Sequence, residues 1–169
     1  MAYFKRFLLL GSLSLTLLAG LMFTTSTWGS HSAFAAGCNA TATGSWSNNC
    51  QTSEGNISLF TVAIQYVVTY SGTGCTTHGI DGDFGPNTFA GVECFQRAKH
   101  IGIDGIVGPQ TWGTMENVLV CVGDFPNRPL QCHLPGNSSV LFIGANGGSG
   151  VWEVFFNGQN RTMVDNSLS

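Results

Sequence analysis

Ile57, Phe60, Ile64, Val67 and Val68 are spaced three or four residues apart, the signature of one apolar face of a helix. The run Ser71-Gly72-Thr73-Gly74 is its breaker. A second stripe, Phe89, Val92, Phe95 and Ala98, predicts a helix from about Pro86 to Lys99, and Trp112, Met115 and Leu119 predict a third from about Pro109 to Val120. Ahead of the helices, residues 36–52 (AGCNATATGSWSNNCQT) are small and polar without periodicity; they are expected to wrap or lead rather than form core. Behind them, VLFIG (Val140 to Gly144) and VWEVFFNG (Val151 to Gly158) flank a Gly-rich connection and predict a β-hairpin. A lone hairpin is hardly stable in water, so this one should pack on the helices or continue a sheet, with Trp152, Phe155 and Phe156 as packing residues.

Both later helices are preceded by the same turn. IDGDFGPNTF (Ile80 to Phe89) and IDGIVGPQTW (Ile103 to Trp112) match at an offset of 23 residues. Asp81-Gly82 and Asp104-Gly105 are turn dipeptides in which the carboxylate accepts from nearby amides while glycine takes a positive φ. Gly85-Pro86 and Gly108-Pro109 then place proline at a first helical position, where its φ is already set. Turn chemistry explains Asp81 and Asp104 without invoking paired catalytic carboxylates. Asp81-Gly82-Asp83 lacks the further oxygen ligands and terminal Glu of a calcium loop.

Composition narrows the class. Of 169 residues only 9% are charged, against 43% hydrophobic and 11% aromatic, which excludes most disordered chains and leaves room for one modest domain. At the start, Lys5 and Arg6 precede the apolar run Phe7 to Phe23 and a polar stretch ending Ala33-Phe34-Ala35. This suits a secretory signal peptide over residues 1–35 better than a membrane anchor, because Gly11, Ser12, Ser14 and Thr16 interrupt the run. Past that leader, Arg97, Lys99, Arg128 and Arg161 face nine acids. An acidic remainder offers no footprint for nucleic acid, and none for a membrane surface once the leader is removed.

All six cysteines, Cys38, Cys50, Cys75, Cys94, Cys121 and Cys132, follow the leader. In an exported chain they read as up to three disulfides with 15 full pairings open, Cys38 with Cys50 forming a natural local loop. His78, His100 and His133 show no HExxH or paired-ligand spacing, so neither a metal nor a cofactor is expected.

Taken together, Asp81-Gly82-Asp83-Phe84-Gly85-Pro86-Asn87-Thr88, Gly91-Val92-Glu93-Cys94-Phe95-Gln96-Arg97-Ala98 and Ile103-Asp104-Gly105-Ile106-Val107-Gly108-Pro109-Gln110-Thr111-Trp112 resemble the peptidoglycan-binding domain attached to many bacterial cell-wall enzymes. Ile64-Gln65 resembles the Leu-Gln pair of that family's first helix, and coverage runs from about residue 53 to 118. The resemblance implies a mainly α, compact three-helix fold and bacterial peptidoglycan as partner. Cys75, His78 and Cys94 depart from the family pattern.

The organisation expected is a signal peptide (1–35), a polar Cys-bearing segment (36–52), a peptidoglycan-binding-like domain (53–120) and an extension with the hairpin (121–169). Candidate ligand contacts are Asp83, Phe84, Asn87, Gln96 and Gln110, since convergent loops form the concave surfaces where ligands dock. Gln65 and Gln96 carry amides suited either to a wall ligand or to the backbone of the adjacent loop. Trp112 opens an apolar helical face and reads as core before sugar platform. The leading expectation is a secreted, non-catalytic wall-binding protein. The alternatives are a small wall hydrolase using His78, His100 or His133 with nearby acids, and a disulfide-stapled scaffold whose extension binds another protein.

Overall fold

The computed structural model describes residues 38–123, 129–144 and 150–165; the leader predicted over 1–35 lies outside them. The helices are α1 (Leu59–Tyr70), α2 (Pro86–Ala98) and α3 (Pro109–Glu116). Ser58 caps α1, its side chain accepting from Thr61 N, so the helix starts two residues after Ile57, which is 50% exposed and bridges to Asp83 instead of entering the core. Both α2 and α3 begin at the expected prolines.

The expected mainly α class does not hold. After α3 the chain forms β1 (Val120–Val122), β2 (Leu130–Leu134), β3 (Asn137–Gly144), β4 (Trp152–Phe156) and β5 (Gln159–Thr162), an antiparallel sheet in the order β1-β2-β3-β4-β5. The anticipated hairpin is its β3–β4 pair, with Phe142 opposite Val154. β4 alternates as a half-buried strand should: Trp152, Val154 and Phe156 are buried, Phe155 exposed. The third helix ends four residues short of the expected Val120, because β-branched Val120 and Val122 pair with β2. β2 (LQCHL) and β5 (QNRT) are too short and polar for a pattern to announce.

The polar segment 38–52 also departs from expectation by entering the core. Its Trp46, on a 3₁₀ turn (Trp46–Asn48), is fully buried and meets Trp112, Phe142 and Trp152 edge-on at centroid distances of 5.8, 5.2 and 5.5 Å. One indole thereby joins α3, β3 and β4. The other two indoles have polar tips satisfied locally: Trp112 Nε1 donates to Cys50 O (3.0 Å) and Trp152 Nε1 to Gly44 O (2.7 Å). The segment's backbone is paired as well, Ala42 N donating to Met163 O and Trp152 N to Ala42 O. Three disulfides, Cys38–Cys50, Cys75–Cys94 and Cys121–Cys132, use all six cysteines. Among the described residues no helix is long and apolar enough to cross a membrane.

Candidate functional site

The repeated sequence motif is a repeated hydrogen-bond network. In the first copy Gln65 is buried, and its Oε1 accepts from Asp81 N (3.0 Å) and Gly82 N (2.9 Å). Its Nε2 donates to Asp81 Oδ1 (2.7 Å), Asp83 O (3.0 Å) and Thr88 Oγ1 (3.0 Å). Asp81 Oδ1 also accepts from Asp83 N (2.9 Å), and Thr88 Oγ1 donates to Asp83 O (3.1 Å). In the second copy Gln96 repeats the set: Oε1 accepts from Asp104 N and Gly105 N, while Nε2 donates to Asp104 Oδ1, Ile106 O and Thr111 Oγ1. Each turn is thus bolted to the preceding helix by one amide, which satisfies loop backbone that would otherwise be stranded beside the core.

These bonds explain the residue types. Gly82 (φ 79°) and Gly105 (φ 69°) take the left-handed conformation that points both amides at the glutamine. At Gly105 a Cβ would also lie 2.2 Å from the Phe89 ring, so only glycine fits. The Gln65 amide, aided by Asp83 N–H, holds the Asp81 carboxyl below its usual range, since both donate to the charged form.

Beside the first turn lies an open, mostly polar recess of about 220 Å³. Asp81, Asp83 and Asn87 line it together with Thr77, His78 and Gly79. Asp83 and Asn87 are exposed, and among the described residues their side chains make no hydrogen bond, which leaves a carboxylate and an amide free to meet a ligand. Among the described residues no lysine or arginine lines the recess.

The candidate ligand residues separate in space. Asp83 and Asn87 share this recess. Phe84 is fully buried in the core, and Gln96 is fully buried with its amide committed to the second turn. Gln110 is exposed on α3, outside the recess. Trp112 lies in the core. His78 enters the recess wall, whereas His100 follows α2 and His133 sits on β2. Among the described residues no group of three His, Cys, Asp or Glu side chains is arranged to hold a metal.

Sequence reasoning missed the Thr77–Gly79 wall, because the segment has no periodicity. The available signal was the pair Cys75 and Cys94, one just before that wall and one in α2, which ties the loop down.

Residues 69–115 match the family model described as "Putative peptidoglycan binding domain", which bears out the resemblance read from the two turns. The matched segment runs from the end of α1 into α3 and contains the whole recess. Over 37 residues the chain is 49% identical to an uncharacterized protein of Kitasatospora aureofaciens from the bpoA1 3′ region, an alignment covering 22% of this chain and 31% of that protein. The chain therefore matches about a third of that relative's length.

Proposed function

We propose that this chain is an exported, non-catalytic protein that binds bacterial peptidoglycan through the recess beside its first Asp-Gly turn. One observation carries the reading: the recess lies within the segment that matches the peptidoglycan-binding family and takes Asp81, Asp83 and Asn87 from its first motif turn, whose backbone Gln65 fixes. Its free groups suit a ligand rich in donors. The Asp83 carboxylate and the Asn87 carbonyl accept, as required by sugar hydroxyls or by the amides and ammonium groups of peptide stems. With no lysine or arginine among its described lining residues, the recess offers no counter-charge to anionic polymers. Export is supported by the signal pattern over residues 1–35 and by the three disulfides, which suit an oxidising compartment.

The test is co-sedimentation of the oxidised protein with purified sacculi at moderate salt, with the supernatant assayed for released sugar and peptide. Retention without release is expected. Replacing Asp83 and Asn87 together by Ala should weaken retention about tenfold, equivalent to about 1.4 kcal/mol. Absence of retention by the unaltered protein overturns the binding reading, and fragment release abolished by His78→Ala overturns the non-catalytic one.

A further inference from the structure

We infer that the Cys75–Cys94 disulfide, together with Gly91, positions the Thr77–Gly79 wall of the recess and thereby sets its affinity for ligand; this rests on the peptidoglycan reading above. The argument starts from an asymmetry between the two turns. Gln65 reaches Asp81 across 16 residues, whereas Gln96 reaches Asp104 across eight. The networks are otherwise the same, so the extra chain in the first copy is surplus to bolting the turn. That surplus, after the end of α1, carries Thr77, His78 and Gly79 into the recess.

The two stretches of chain that line the recess are held differently. Asp81 and Asp83 belong to the turn that Gln65 secures. The wall formed by residues 77–79 has no regular secondary structure, and Gly72 and Gly74, both at positive φ, link it to α1. Such a path has many alternative conformations. His78 adds local strain, with φ of 61° in a region non-glycine residues adopt only where their surroundings hold them.

What holds the wall comes mostly from α2. Cys94 ties Cys75 to the helix covalently two residues before Thr77. One turn earlier on α2, a Cβ at Gly91 would lie 2.8 Å from Thr76 O and 2.9 Å from Thr77 Cγ2, so the wall seats against bare helix backbone. Smaller contacts complete it: Thr77 Oγ1 donates to Gly79 O (2.7 Å) and lies 3.3 Å from Thr69 Oγ1. Without the disulfide the strained loop is free to leave α2 while the Gln65 network stays intact.

The experiment compares two double variants of the oxidised protein on purified sacculi: Cys75→Ser with Cys94→Ser, and Cys121→Ser with Cys132→Ser as a control remote from the recess. Thermal unfolding and amide exchange at residues 76–80 are followed for each. The first variant should lose at least about tenfold in affinity, with faster exchange at 76–80 and retained protection at Gln65-bonded Asp81 and Gly82. The control should lose stability while binding within about twofold of the unaltered protein. Unchanged affinity in the first variant, or equal losses in both, overturns the inference. Should the first variant fail to fold, Gly91→Ala displaces the wall with the disulfide intact; weakened binding is expected, and unaltered binding refutes the positioning role. If the unaltered protein does not bind sacculi, the peptidoglycan reading falls, and exchange at 76–80 by itself decides whether the disulfide orders the wall.

Discussion

Gln65 and Gln96 show how one buried side chain can substitute for secondary structure. A Gln96→Leu change keeps most of the volume but strands Asp104 N and Gly105 N beside the core, while Ile106 O keeps the Thr111 hydroxyl as donor. At about 1–3 kcal/mol for each stranded group, partly relieved by water, we expect a loss of about 3 kcal/mol in urea unfolding. Asp81 gives the same network a pH dependence. Its carboxyl is held below the usual range, chiefly by the Gln65 amide, so its contribution is fully present above the unfolded-state pKa and is lost as pH falls through the folded one. Half-buried Asp165 has the opposite sign: burial raises its pKa despite the hydrogen bond from Asn56. Its contribution is present below the unfolded value and is lost as pH rises through the folded one. Melting curves between about pH 2 and pH 7 should therefore show Asp81→Asn flattening the acid limb, with Asp165→Asn changing the profile in the other direction.

At the level of elements, the helices were legible where local chemistry is strong. Pro86 and Pro109 mark two helix starts and Ser71-Gly72 the end of another. Ends set by tertiary contacts were not: α3 stops at Glu116, whose Oε2 accepts from Ser45 Oγ (2.8 Å) and Trp46 N (3.0 Å). That carboxylate fastens the 3₁₀ turn to the helix, and Glu116→Ala should cost about 2 kcal/mol as two bonds to a charged acceptor are lost. Chemical denaturation read by tryptophan fluorescence checks this, because Trp46 sits on the loosened turn. The sheet escaped notice for a related reason. Only β3 and β4 carry enough apolar residues to declare themselves, while β1, β2 and β5 are short and take their register from pairing partners.

For the whole molecule, the central fact is a shared core. Trp46 from the leading segment, Trp112 and Phe60 from the helices, and Phe142 and Trp152 from the sheet pack as one aromatic cluster. Trp46→Ala should cost about 4 kcal/mol, the range for emptying a buried aromatic site. We further expect a fragment spanning residues 53–120 to lack a cooperative thermal transition, since Phe60 and Trp112 would lose Trp46 and the sheet as cover. Calorimetry of fragment and full chain tests both expectations. By itself the sequence determined the duplicated turns, the helix starts and the resemblance to a peptidoglycan-binding domain, because these depend on residues close together in the chain: Asp-Gly, Gly-Pro and apolar spacing. Tertiary structure decided the rest. It fixed the pairing of Cys75, Cys94, Cys121 and Cys132, buried Phe84 and Gln96 while leaving Asp83 and Asn87 free, brought a polar leading segment into the core through Trp46, and set Thr77 to Gly79 in the same recess as the first turn. Each of those outcomes depends on contacts between distant segments, whose cost in chain entropy is repaid only when the whole core closes.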